Sequence, residues 1–307
     1  LKEKVGAQME YTMLGKTGLK VSQLGLGGAP LAGDFGKTDE EEVQRLIHES
    51  IDSGINIIDT APLYGRGESE RRIGKALKGR RESVVLASKA VRSDLSYDYA
   101  STIGSVEDSL NRLQTDWIDL LQIHDVEKQQ YEVIMNETVP ALQKLQQDGK
   151  IRYIGVTTRD LQLLMRYMRT ACFDAIQFYA RYMLIDYTAK DEVLPLASSM
   201  GIGVINGSVL GMGILADAPA HFLDQETLDQ AEYRMEQLKF LRKQESKGLI
   251  EPGMRFSLGN PDIHVTLTGT SSLNSLRNNL SFCDGKGLEP NDLLKVQALF
   301  QGQPLFN

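Results

Sequence analysis

Four polar residues stand at or just after the ends of apolar runs in the first half of the chain. Asp59 closes INIID and leads into TAPLYG with Tyr64, Lys89 closes VVLASK, and His124 closes IDLLQIH. Together they describe a proton-transfer site. Free tyrosine titrates near ~10 and is a sluggish acid or base at neutral pH. A lysine ammonium ~4 Å away favours phenolate by roughly 4 kcal/mol at an effective dielectric of ~20, about three pKa units. Lys89 is read as the source of that charge, lowering Tyr64. Asp59 holds Lys89 in place and protonated, and His124 hydrogen-bonds a substrate oxygen and orients it. Taken singly, each residue has a plainer reading: a solvated lysine, an aspartate cap, a packed histidine. Their appearance at the ends of three successive strands favours the joint one. Such a site moves a proton onto or off a carbonyl or alcohol oxygen and takes its hydride from elsewhere.

The elements that would bring the four together are repeated. Strand candidates are Gln23–Gly27, Ile55–Asp59, Val84–Lys89, Ile118–His124, Ile151–Thr157, Ala175–Phe178, Gly203–Asn206 and Val265–Thr268. Helical periodicity fills the intervals at Asp39–Ser53, Glu68–Leu77, Ser101–Leu113, Glu132–Gln147, Leu161–Thr170, Asp191–Met200, Thr227–Lys247 and Asn274–Phe282. Thr38 or Asp39 can cap the first helix, and Gly54, Gly149 and Gly201 follow helix ends. Eight βα units in this length predict an α/β protein, a (β/α)8 TIM barrel, whose chemistry sits at the C-terminal ends of its strands. A doubly wound sheet is the alternative. Thr12–Val21 reads as a short hairpin under the barrel and Asn291–Gly302 as a final helix. With no linker or charge run, residues 1–307 read as one domain. Met9 is read as the natural start and residues 1–8 as an extension or remnant.

Composition narrows the partners. The 307 residues include 41 acidic and 34 basic ones, a net charge of -7, with no basic run, so neither nucleic acid nor an anionic membrane is expected. No apolar stretch approaches the ~20 residues of a membrane span, and Leu1–Gln8 lacks a signal-peptide core. Cys172 and Cys283 are unpaired by spacing and read as buried thiols in a reducing, cytoplasmic setting. The histidines at 48, 124, 221 and 264 are scattered, without H-x-H or H-E-x-x-H, which argues against a metal-dependent hydrolase and for no metal site.

Asp59, Tyr64, Lys89 and His124 match a pattern of the aldo-keto reductase family, which the chain resembles over almost its whole length. The resemblance is carried by LGKTGLKVSQLGLGGAPL at 14–31, GINIIDTAPLYGRGESERRIGKAL at 54–77, DSLNRLQTDWIDLLQIHD at 108–125, GKIRYIGVTT at 149–158 and TGTSSLNSLRNNL at 268–280. Within the family, IHDVE and ETVPALQKLQQDGKIRYIGVT look most like the NAD-dependent sugar 1-dehydrogenases of galactose, arabinose or fucose type. The resemblance implies a nicotinamide cofactor laid across the barrel mouth without a Rossmann domain. The G-x-G-x-x-A string Gly211–Ala216 is accordingly read as a barrel-top loop. Carried over by position, Thr157, Thr158 and Gln177 would hold the nicotinamide carboxamide, with Asp59 near its ribose and Gly28 beside the cofactor. Ser208, Leu210 and Gly213 match the pyrophosphate loop. Gly269, Thr270, Ser271, Ser275, Asn278 and Asn279 match the adenosine end.

The chain also departs from the family pattern. Thr157–Thr158 replaces a frequent Ser-Asn pair, and the position of an aromatic residue that stacks on nicotinamide falls near Asn206. Gly269 and Ser275 stand where phosphate-binding members often carry Lys or Arg, leaving Arg277 as the basic residue nearby. A 2′-phosphate needs a cation, so NAD is expected over NADP. The implied activity is oxidation of an aldose at C1 to the lactone, since cytosolic NAD is mostly oxidised. The alternatives are a broad NADPH-dependent aldehyde or ketone reductase, and a nucleotide-sensing subunit like the potassium-channel β subunits. Substrate contacts are sought at Leu31, Arg66, Arg92, Asp125 and Tyr179, and in the segment Ala216–Pro252 that would cover the site. The particular sugar and the oligomeric state stay open.

Overall fold

The computed structural model describes residues 9–92, 94–243 and 248–306. The proposed extension at 1–8 and the last residues of the Thr227–Lys247 helix lie outside them.

Among these residues eight parallel strands close into a barrel in the order β10-β3-β4-β5-β6-β7-β8-β9. They are β3 (Leu24–Gly27), β4 (Ile57–Asp59), β5 (Val85–Ala90), β6 (Ile118–Ile123), β7 (Ile151–Thr157), β8 (Ala175–Tyr179), β9 (Gly203–Gly207) and β10 (Val265–Gly269). Each strand lies within one or two residues of its expected place. The barrel, rather than a doubly wound sheet, follows from β10 pairing with both β3 and β9.

The period of two along each strand sorts side chains between lumen and outer layer. Ile57, Val85, Ala87, Leu120, Ala175, Ile205, Val265 and Leu267 form one apolar cluster, while Ile58, Leu86, Leu121, Ile123, Ile176 and Val204 join the larger cluster packed under the helices. Continuing the inward parity upward reaches Asp59, Lys89, Gln122 and Gln177 at the C-terminal ends.

The hairpin β1 (Tyr11–Met13) and β2 (Lys20–Ser22) is antiparallel and closes the opposite end of the barrel. Its Leu14, Leu19 and Val21 belong to the lumen cluster. Gly15, at φ +53, is required there, because a Cβ would lie 2.4 Å from the Gly203 nitrogen.

Outside the barrel run α1 (Glu40–Asp52), α2 (Glu68–Ala76), α3 (Tyr99–Leu113), α4 (Tyr131–Val133), α5 (Val139–Gln147), α6 (Leu161–Met168), α7 (Val193–Met200), α8 (Gln225–Gln237), α9 (Ile250–Leu258), α10 (Leu273–Leu280) and α11 (Pro290–Leu299). Asp39 caps α1 through the Glu42 amide, and Gly201 ends α7 in the left-handed conformation. The single helix expected over Glu132–Gln147 widens into a π-helical stretch at Ile134–Thr138 between α4 and α5. Pro140, which has no N–H to donate, follows at once.

One helix is missing from the sequence pattern, α9. The helix read at Thr227–Lys247 is α8, ending at Gln237, and it belongs to the long excursion after β9. The helix that packs on β10 is α9, hidden in sequence by Pro252 and Gly253. Pro252 sits in its first turn, where the missing N–H costs nothing, and Gly253 gives room to Leu210 and Leu215.

Cys283 is buried and Cys172 only partly so, and both are free thiols. No helix among the described residues is long and apolar enough to cross a membrane.

Leu14 is fully buried in the floor of the barrel. Leu14→Ala should therefore lower unfolding free energy by about 2–5 kcal/mol, read from urea denaturation. A loss below about 1 kcal/mol would show that the hairpin does not seal the lumen.

Candidate active site

Asp59 and Lys89, on adjacent strands and 2% and 1% exposed, face each other across the upper lumen. Lys89 Nζ donates to Asp59 Oδ2 at 2.7 Å and to the Thr60 carbonyl at 2.9 Å. The other oxygen, Oδ1, accepts from Gln122 Nε2 at 2.9 Å, and the same nitrogen donates to Gln177 Oε1 at 3.0 Å. Burial by itself would pull the Lys89 pKa down, but the charge and hydrogen bond of Asp59 and the nearby Tyr64 outweigh it, so the amine is held above its ordinary value and remains an ammonium.

Tyr64 begins the short turn Tyr64–Gly67 after β4. Gly65 and Arg66 there adopt left-handed conformations, and a Cβ at Gly65 would lie 2.6 Å from that of Ala32. The Gly65 amide is fixed by Asp34 Oδ2 at 3.0 Å. This turn lays the Tyr64 ring under the lysine, with Lys89 Nζ 4.9 Å from its centroid, and edge-on to His124 at 6.0 Å.

The expected lowering of Tyr64 is corrected here. Burial pushes its hydroxyl above the ordinary value of 10, Lys89 pulls it down, and Asp59 pushes it up again, leaving it raised. The lysine limits the cost of phenolate without removing it. Desolvation of the phenol was not legible from residue types.

His124 follows β6, and its carbonyl accepts from Tyr97 Oη at 2.7 Å. Burial lowers its pKa to about 3, against the attraction of Asp125 and with the repulsion of Lys89 and Lys128. The imidazole is therefore neutral at working pH. Its Nδ1 is buried without a partner among the described residues, and its Nε2 lies 3.8 Å from Asp125 Oδ1.

A cavity of about 1540 Å³ opens over these groups, beyond the roughly 300–1,000 Å³ of a pocket for one drug-sized ligand. Asp59, Tyr64, Lys89 and His124 all line it, as do Gly28, Thr157, Gln177, Ser208, Leu210, Gly213, Gly269, Thr270, Ser271, Ser275, Asn278 and Asn279. Asn279 is already engaged, donating to Thr268 Oγ1 at 2.7 Å.

Thr158 is the exception among the residues expected to hold the cofactor. It is fully buried away from the cavity, its hydroxyl accepting from the Asp160 amide at the start of α6. The alternation that turns Thr157 inward turns its neighbour away. Asn206 likewise faces the Tyr182 carbonyl and Ser257, and Gly207 is the residue of β9 that meets the cavity.

Of the substrate candidates, Asp125 and Tyr179 line the cavity, and the other three do not. Leu31 is core, Arg66 is exposed, and Arg92 is paired with Asp94. From the excursion after β9, Ala216, residues 218–222, Ile250 and Glu251 reach the cavity. Phe222 meets Phe35 edge-on at 5.7 Å.

The aldo/keto reductase family model matches residues 23–299. The chain belongs to this family. It is 33% identical to L-galactose dehydrogenase of Arabidopsis thaliana over 96% of this chain and 95% of that one. It is 31% identical to D-threo-aldose 1-dehydrogenase of Pseudomonas sp, over 66% of this chain and 69% of that one. Among solved structures it is similar to the holo form of aldo-keto reductase AKR11C1 from Bacillus halodurans, with a TM-score of 0.80 and 28% identity over 96% of this chain and 97% of that one. As an aldo/keto reductase, the protein is an NAD(P)-dependent oxidoreductase. The size of the cavity and its glycines at 27, 28, 207, 213 and 269 suit an extended dinucleotide.

Two supporting residues were missed in sequence. Gln122 interrupts the apolar run IDLLQIH at an inward position, a signal that the alternation of the strand makes readable. Glu70, fully buried on α2, accepts from Ser88 Oγ and Arg112 Nε behind β5. In sequence it stands in a charged stretch, ESERR, and looks solvated.

With its pKa near 3, His124 should stay neutral from about pH 5 to about pH 8, so its ring resonances should not shift in that range of an NMR titration. A midpoint near the ordinary histidine value would refute the neutral imidazole.

Proposed function

We propose that the protein oxidises a neutral aldose at C1 to its lactone with NAD, using Asp59, Tyr64, Lys89 and His124. The observation that carries the substrate class is Asp125. This buried carboxylate lines the cavity beside His124 and offers acceptors to sugar hydroxyls. It also disfavours anionic substrates, since its partner Lys128, at 3.2 Å, is half exposed and, like Arg66 and Arg92, does not line the cavity. Tyr179, hydrogen-bonded to Glu127 at 3.4 Å, adds a second polar group on that side. The names of the two aldose-acting relatives agree with this reading.

When bound, nicotinamide supplies the hydride acceptor. Gln177 and Thr157 are assigned to its carboxamide, Gly28 and Asp59 to the ribose side. Ser208, Leu210 and Gly213 are assigned to the pyrophosphate, and residues 269–271, 275, 278 and 279 to the adenosine. Neutral His124 holds the C1 oxygen of the sugar through a hydrogen bond. Tyr64 takes the proton from that oxygen as the C1–H electron pair leaves. To take that proton Tyr64 must first be phenolate, which the Lys89 ammonium stabilises and which the transfer turns into the neutral phenol, while Asp59 keeps Lys89 charged and in place.

NAD is favoured over NADP by the charges at the adenosine end. The lining there has no basic side chain, and Arg277 is spent on Glu49 through two bonds of 2.5 and 2.8 Å. Two free thiols suit a reducing compartment, and the cytoplasm is the assigned location. One observation favours the opposite direction of reaction: the raised Tyr64 is a proton donor at rest, which suits carbonyl reduction.

A panel of aldoses and simple aldehydes, run with NAD(H) and NADP(H) and followed by the absorbance of reduced nicotinamide, separates the readings. NADH formation with a neutral aldose is expected. Consumption of NADPH against simple aldehydes, with every sugar silent, would move the assignment to a carbonyl reductase. Tyr64→Phe should reduce turnover by a factor of about 10²–10⁴ while leaving cofactor affinity nearly intact. Activity within about tenfold of the parent would remove Tyr64 from the acid/base role.

A further inference from the structure

We propose that Gln122 is a positioning residue that carries the polarity of the Asp59–Lys89 pair across the lumen and so fixes which end of the Gln177 amide faces the cavity. Gln122 is fully buried on β6, between Asp59 on β4 and Gln177 on β8. Its Nε2 donates to both, at 2.9 and 3.0 Å. A primary amide has two N–H donors, so both are used. Its Oε1 is buried with no partner among the described residues.

The orientation has an electrostatic cause. Asp59, ion-paired with Lys89, offers only acceptors, so the Gln122 atom facing it is the nitrogen. The second N–H of that nitrogen requires an acceptor, and Gln177 turns its oxygen to meet it. Gln177 Nε2 is thereby left on the side of Gly207, where an added Cβ would stand 3.7 Å away, and Gly207 and Gln177 both line the cavity. In the order Lys89, Asp59, Gln122, Gln177, Asp59 accepts from both Lys89 and Gln122, and Gln122 in turn donates to Gln177, so each group fixes the orientation of the next.

The strand beside Gln122 is shaped for this crossing. Gly155 on β7 pairs with Gln122, and a Cβ there would lie 2.8 Å from Gln122 Cγ. An apolar side chain of similar length would leave no unpaired carbonyl in the lumen, so packing alone does not account for the amide.

The inference rests on the reading that Gln177 meets the nicotinamide carboxamide, and its test separates the two. The affinities of the parent, Gln122→Met, Gln122→Asn and Gln177→Leu are measured for NAD and for ADP-ribose, which lacks nicotinamide. Gln122→Met should weaken NAD by a factor of about 2–12, the worth of one neutral hydrogen bond, with ADP-ribose unchanged. Gln122→Asn, too short to reach both partners, should show the same selective loss and serves if the methionine variant does not fold. If Gln177→Leu loses NAD selectively while both Gln122 variants keep it, or weaken both ligands equally, Gln122 has no positioning role. If Gln177→Leu shows no selective loss, the reading of Gln177 fails and the positioning role falls with it.

Discussion

The upper half of the barrel is organised around two opposite charges taken out of water. A buried ion pair repays its desolvation only if the remaining donors and acceptors are also satisfied. Here the Thr60 carbonyl takes a second hydrogen from Lys89, and Gln122 fills the other oxygen of Asp59. Well-packed apolar residues could fill the same space at no loss of stability, so the pair is better explained by the electrostatics it provides to Tyr64 than by its contribution to folding. The hydrophobic floor beneath it, sealed by Leu14, Leu19 and Val21 from the hairpin, keeps the effective dielectric low enough for those charges to act on the phenol.

A site of this kind needs its tyrosine held as firmly as its lysine, although Tyr64 lies in a turn rather than on a strand. The surroundings supply the rigidity. Thr60 donates to Ser69, which donates to the Gly28 carbonyl, stitching the loop after β4 to α2 and to the end of β3. The next residue of α2, Glu70, binds Ser88 on β5 and Arg112 on α3. Gly74 lets α2 approach α3 so closely that a Cβ would lie 2.5 Å from the Leu113 carbonyl. Because α2 is fixed on both sides, the turn that precedes it has little freedom. Buried polar contacts in α2 thus set the position of a reactive group several residues upstream, as expected where catalytic geometry depends on support from neighbouring side chains.

Much of this was legible from sequence because it follows local rules. The period-two alternation of VVLASK and IDLLQIH places Lys89 and His124 inward on the same grounds that place Val85, Ala87 and Leu120 in the lumen. What failed did so where tertiary context overrides local pattern. Thr157 and Thr158 look equivalent in sequence, yet adjacent strand-end residues face opposite ways. Leu31 lies past a strand end, but its turn folds it into the core. Arg66 and Arg92 lie close to Tyr64 and Lys89 in sequence without lining the cavity. Helix α9 was obscured by Pro252 and Gly253, residues that usually break helices and here occupy its first turn. The pKa of Tyr64 was misjudged because a charge at a known distance is easily evaluated from residue types, whereas desolvation depends on everything packed around the ring.

The division of labour between strands and loops constrains how recognition is built. The groups proposed to handle the proton lie on or next to strand ends, and Asp59 and Lys89 among them are fixed by hydrogen bonds within the lumen. The polar groups assigned to the dinucleotide and the sugar come largely from loops, including the excursion after β9 that brings Phe222 against Phe35 from the opposite side of the cavity. Charge selection operates there by what is withheld. At the adenosine end Arg277 is bound to Glu49, so a phosphate would have to compete with a carboxylate for it. At the sugar end Asp125 stands beside a neutral histidine, and Lys128 at 3.2 Å only partly balances it. An unpaired anion would be disfavoured at either end, while a neutral polyol meets acceptors already in place. The preferences proposed above, for a cofactor without a 2′-phosphate and for an uncharged sugar, would thus share a cause in cations committed to neighbouring carboxylates.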